Sequence, residues 1–178
     1  MLGARESHPV SKDQKTYLVL QSGVGAAVVN ALLNGAIGWA ITRGLTEFPV
    51  WRIPGVAMDL LATTFGVTFG TVLAMAVQVR LDVARGKISP LDPPKALAAA
   101  LARFPQGVLA RSVVLGLVSV PLFAPPALAW LAATGTPTLG RGAFIAVKAG
   151  LAAVEGGLVT PIIVLSVLRD MASASRPA

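Results

Sequence analysis

Three ionisable residues, Asp59, Lys148 and Glu155, stand inside otherwise apolar stretches of this sequence. A charge at membrane depth is costly, so such a group pairs, binds an ion or proton, or snorkels to the interface. Lys148 and Glu155 are seven positions apart, which puts them on one helix face with roughly 10 Å between their Cα atoms. They cannot bond each other directly. Counted by depth, Asn34 falls level with Asp59 and Lys148, while Asn30, Thr63 and Thr64 approach the level of Glu155. Thr160, beside Pro161, is the hydroxyl nearest the carbonyl that this proline frees. The expected arrangement is an internal polar track with an Asp59–Lys148 ion pair near one mouth and Glu155 at its floor. Glu155, Lys148, Asp59, Asn30, Asn34 and Thr160 are then the candidate ion, proton or substrate site. The plainer alternative has Asp59 and Lys148 reaching the interface and the two asparagines serving only to join helices.

Other chemistries are excluded by residue type. The sole histidine, His8, lies in the N-terminal tail and there is no cysteine, which excludes a histidine metal site, a thiolate-held metal or cluster, and a Ser-His-Asp triad. Gly23 and Gly25 lie inside an apolar stretch without the Gly-Lys-Ser/Thr ending of a phosphate loop. No catalytic residue, metal or cofactor is expected, and the protein is not read as an enzyme.

The elements that must hold these residues follow from composition. Hydrophobic residues make up 54% of the 178 positions, charged residues 13%, and mean hydropathy is +0.73. A soluble domain this small could not hide so much apolar surface. Four stretches are long enough to cross a hydrocarbon core about 30 Å thick: residues 17–41, 56–79, 112–133 and 143–168. The first follows a charged tail and lacks a cleavage site, so it reads as a permanent span and not a signal peptide. The expected fold is an all-α integral membrane protein of four helices, forming two hairpins in a single domain over residues 17–168. The flanks are a tail at 1–16, a central loop at 80–111 and a C-terminal tail at 169–178. In the loop, Asp92 can cap a short helix started by Pro93 and Pro94, whose Leu97, Leu101 and Phe104 would share an apolar face seated in the interface.

Eleven Lys and Arg fall in the two tails and the central loop, against three, Arg43, Arg52 and Arg141, in the other two loops. This bias places both termini in the cytoplasm, with Trp39, Trp51 and Trp130 forming an aromatic belt at the opposite face. The net charge of +7 is therefore topological and implies no nucleic-acid partner. An Ala-, Gly-, Val-, Leu- and Arg-rich composition suits a bacterial inner membrane.

Small residues recur at every fourth position in two spans: Gly23, Ala27, Ala31 and Gly35 in the first, Ala62, Gly66, Gly70 and Ala74 in the second. Such ridges let helix backbones approach, and the two are expected to pack on each other. Pro121, Pro125 and Pro126 should bend the outer half of the third span. Two functions compete. One is a small proton- or cation-coupled transporter acting as a homo-oligomer, with Glu155 as the exchanging group. The other is a non-catalytic subunit that docks another membrane protein through its ridges and basic loop.

Overall fold

The computed structural model describes residues 16–91, 93 and 95–174. The charged tail before residue 16, the Asp92 cap and Arg176 lie outside the described residues. Helix α1, Tyr17–Ile41, begins as a π-helix over Tyr17–Val24 and continues as an α-helix over Gly25–Ile41. It is followed by strand β1 (Glu47–Pro49), α2 (Val56–Ala84), the short α3 (Lys95–Leu101), α4 (Val108–Thr134), β2 (Thr138–Gly140) and α5 (Arg141–Ala174). Four of these helices, α1, α2, α4 and α5, are long and apolar enough to cross a membrane, which fits an integral membrane protein.

The long helices stop where the backbone can turn. Gly86 follows α2 at φ +70°, and Gly135 closes α4 at φ +63°, the left-handed position that glycine takes without a Cβ clash. Between those ends the helices run past the apolar stretches. The 34 residues of α5 extend about 51 Å at 1.5 Å per residue, well beyond the hydrocarbon thickness. Helix α4 stays helical through Pro121, Pro125 and Pro126, and α5 through Pro161.

Chain order does not set the packing. Helix α5 lies at the centre: half of its most apolar window is buried, against 17% for α1. It packs along α1 on one side and α2 on the other, and α2 in turn packs along α4. The consecutive helices α1 and α2 therefore do not form the expected close hairpin. Their small-residue ridges do not meet. Gly23 instead faces Gly157 and Pro161 of α5, and Gly35 faces Ala149. The physical reason is that α5 carries both a small-residue surface and two charged side chains that need covering, so it wins the central place between α1 and α2.

Two apolar clusters mark the ends of the bundle. One gathers Val50, Val56, Leu60, Leu131, Leu139 and Phe144 at the end where the tryptophans lie. There β1 and β2 pair antiparallel, with Phe48 opposite Leu139, and the Phe48 ring stacks on Phe144 at 5.0 Å. This two-stranded clasp ties the α1–α2 connection to the α4–α5 connection. The other cluster, Tyr17, Val79, Ile88, Val164, Val167 and Leu168, closes the end rich in arginine. Helix α3 ends at Leu101, so Phe104 falls in the turn beyond it, and Leu101 is buried within the protein.

Candidate functional site

Helix α5 brings Lys148 against α2, where its ammonium nitrogen lies 2.6 Å from Asp59 Oδ2 and donates to Thr63 Oγ1 at 2.6 Å. Lys148 is buried, whereas the Asp59 side chain keeps 23% of its surface exposed. The aliphatic stem of Lys148 passes over Gly38 of α1, where an added Cβ would lie 3.3 Å from Lys148 Cδ. A glycine on α1 thus makes room for a charge on α5 to reach α2.

Two turns further along α5, Glu155 is fully buried. Its Oε1 accepts a 2.6 Å hydrogen bond from Thr68 of α2, and its Oε2 has no hydrogen-bond partner among the described residues. Ser119 of α4 packs into the same region, its hydroxyl within bonding distance of Thr64 O (2.9 Å) and Gly116 O (2.8 Å). The depth count had put Thr63 and Thr64 at the level of Glu155. In the structure Thr63 belongs to Lys148, Thr64 bonds its own helix at Leu60 and Leu61, and Thr68 meets Glu155. One register serves both charges: Lys148 reaches residues 85 and 89 positions earlier on α2, and Glu155 meets Thr68, 87 positions earlier, so the depth count fell about one turn short along α2.

The polar track is also divided. Because α1 and α2 stand apart, a groove of about 680 Å³ opens between them, with Lys148 and Thr160 of α5 at its base. Asn30, Asn34 and Thr63 line it, together with Ala62, Gly66, Gly70 and Ala74. Nothing lies within 4 Å of a Cβ built on Gly66 or Gly70, so within this chain the α2 ridge is a groove wall and not a packing face. Glu155 is not on the groove; it lies behind it, on the α2 side of α5. Asn30 separates the two regions, its side chain lying over Gly156, where an added Cβ would come 2.5 Å from Asn30 Nδ2. Both asparagines spend donors on their own helix, Asn30 Nδ2 to Ala26 O (2.9 Å) and Asn34 Nδ2 to Asn30 O (3.0 Å). Thr160 bonds Gly156 O at 2.5 Å, one residue short of the carbonyl that Pro161 frees.

At the arginine-rich end the groove is pinned shut. Tyr17 donates its hydroxyl to Asp82 at 2.8 Å, and Lys87 approaches the same carboxylate at 3.4 Å. Sequence reasoning missed Tyr17, Asp82, Thr68, Ser119 and Gly38. The available signals were a lone tyrosine and a lone acid at the matching ends of two spans, and hydroxyls at helical spacing along α2. Comparisons with protein-family models, with curated proteins and with solved structures each gave no match, so the functional reading rests on this geometry alone.

Proposed function

We propose that this protein is a small proton- or cation-coupled transport protein of a bacterial inner membrane, with Glu155 as its exchanging group. One observation carries the reading: a fully buried carboxyl, Glu155, sits in the middle of a membrane helix, and its Oε2 has no hydrogen-bond partner among the described residues. Leaving a carboxylate oxygen dry and unpaired is expensive, and uptake of a proton or a cation removes that cost. The groove between α1 and α2 supplies a solute-sized space one residue layer away, and the Asp59–Lys148 pair sets the electrostatics at its tryptophan end. In this reading the arginine-rich end and both termini face the cytoplasm, α3 rests at the cytoplasmic interface, and the exposed lipid-facing surface of α1 serves in a homo-oligomer.

The test uses wild type and Glu155→Gln reconstituted in liposomes, with proton entry followed by a trapped pH dye under an imposed potential. The glutamine variant should keep its fold and lose the flux. Equal flux in the two proteins abandons the coupling.

A second reading is favoured by a different observation, the open α2 ridge. Gly66 and Gly70 face empty space, as a surface would that receives a helix of another membrane protein. The chain would then be a non-catalytic subunit that stabilises a complex. A Cβ at Gly66 meets nothing within 4 Å, so Gly66→Leu places its bulk in the groove. Loss of a defined copurifying partner in that variant supports this reading, and its retention rejects it.

A further inference from the structure

A second pocket, of about 250 Å³, opens at the arginine-rich end where α2, α4 and α5 converge. It is separate from the groove and from Glu155. Its polar wall is Arg80, Arg111, Gln106 and Asp170, and its apolar wall includes Val72, Val108, Val167 and Met171. Arg111 is an unusual lining residue because it is only 5% exposed yet charged. It is held on three sides: Nε donates to Pro105 O at 2.9 Å, Nη1 to Ser166 Oγ at 3.2 Å, and Nη2 lies 2.7 Å from Asp170 Oδ2. A guanidinium has five N–H donors in a fixed fork, so two remain on a group that cannot swing away. Arg80, one turn before the end of α2, is exposed and has no polar partner among the described residues. With Asp170 neutralising Arg111, the pocket keeps one uncompensated positive charge, carried by Arg80.

We propose that this pocket binds a phosphate group, borne by a membrane phospholipid or free in solution. Planar guanidinium forks match phosphate oxygens in geometry and charge. The fixed Arg111 supplies orientation, Arg80 supplies the net charge, and Gln106 supplies a further amide. The pocket is polar at one wall and apolar at the other, the division an amphiphile needs: a headgroup at the arginines and the first carbons of its chains along Val72, Val167 and Met171. Its place, at the ends of three spanning helices, is where headgroups lie.

The experiment uses the full chain, purified in mild detergent, and reads bound mass by native mass spectrometry and thermal unfolding. The probes are phosphatidylglycerol, a phosphate-free glycolipid of similar chain length, and inorganic phosphate. Arg80→Gln removes the free charge at an exposed position and should leave the fold intact. Arg52→Gln, an exposed arginine at the opposite end, is the control. Phosphatidylglycerol should bind and raise the unfolding temperature of wild type and of Arg52→Gln, and bind Arg80→Gln about tenfold more weakly, the scale of one charge-assisted hydrogen bond. Stabilisation by inorganic phosphate as well assigns the site to free phosphate; stabilisation by the phospholipid alone assigns it to lipid. The proposal is overturned if neither probe acts, if the glycolipid acts as strongly as phosphatidylglycerol, or if Arg52→Gln weakens binding as much as Arg80→Gln. None of these outcomes depends on Glu155 or on flux.

Discussion

Lys148 and Asp59, eighty-nine positions apart, form the contact that fixes α5 against α2, and the two partners are unequally buried. The side chain of Lys148 keeps 4% of its surface exposed, that of Asp59 keeps 23%. Removing either one leaves the other alone at a different degree of burial, so the pair should respond asymmetrically.

Asp59→Asn leaves the buried ammonium without its carboxylate, with the Thr63 hydroxyl as its other bonded partner. Breaking a buried pair from one side costs about 3–5 kcal/mol, and this variant should approach that range. Lys148→Met leaves a carboxylate with 23% of its side chain at the protein surface, and should cost clearly less. The double variant should recover most of the loss. Thermal or denaturant unfolding in one detergent compares all four proteins, and equal losses in the two single variants would contradict the assigned burial.

The shortest contact of Glu155 is with the Thr68 hydroxyl, with Ser119 packed into the same region. Thr68→Val removes the 2.6 Å hydroxyl donor to Oε1 and should destabilise by about 1–3 kcal/mol, the cost of weakening the satisfaction of a buried acceptor. Thr68→Val in the Glu155→Met background should cost much less, because no acceptor remains to be orphaned. A double-mutant cycle by unfolding measures the coupling; a coupling energy near zero would show that the contact does not form.

The glycines divide into those that are covered and those that are open. An added Cβ at Gly116 comes 2.9 Å from the Phe65 ring and 3.2 Å from Phe65 O, so Gly116→Ala should loosen α4 from α2 at a cost of about 1–3 kcal/mol. At Gly66 and Gly70 the added Cβ meets nothing. There alanine should be neutral or should stabilise by up to about 1 kcal/mol through helix propensity alone. The unfolding temperature of Gly116→Ala should therefore fall below wild type, and those of Gly66→Ala and Gly70→Ala should not.

Tyr17 holds the start of α1 to the end of α2 across the groove. Tyr17→Phe keeps the ring in its apolar cluster and removes only the hydroxyl bond to Asp82, at a cost of about 0.5–1.5 kcal/mol. The expected result is a local change: faster amide exchange over Tyr17–Val24, and a broader distance distribution between spin labels at the exposed Leu20 and Leu81. An unchanged distribution would mean that the apolar cluster alone sets the spacing there.

Much of this architecture was legible in the sequence because it depends on local energies. Transfer of twenty apolar residues into hydrocarbon is a sum over neighbouring positions, so the four spanning helices could be read from hydropathy, and so could the unusual placement of Asp59, Lys148 and Glu155 inside them. The small-residue ridges were equally plain, but their partners were not. Two spans carry such ridges of similar composition, and a ridge specifies close approach without specifying which helix approaches. Only the tertiary structure decided that Gly23 and Gly35 meet α5, that Gly66 and Gly70 meet nothing, and that a groove opens between α1 and α2. The same holds for side-chain reach. Depth counting treats every residue as a point on its helix axis, whereas the lysine ammonium bridges Asp59 and Thr63 a turn apart, and the register that this pairing and the Thr68–Glu155 bond share is set only when the helices are packed. The β1–β2 clasp and the Tyr17–Asp82 bond join segments distant in sequence through contacts that carry no local periodic signal, and so they existed only once the helices had been placed.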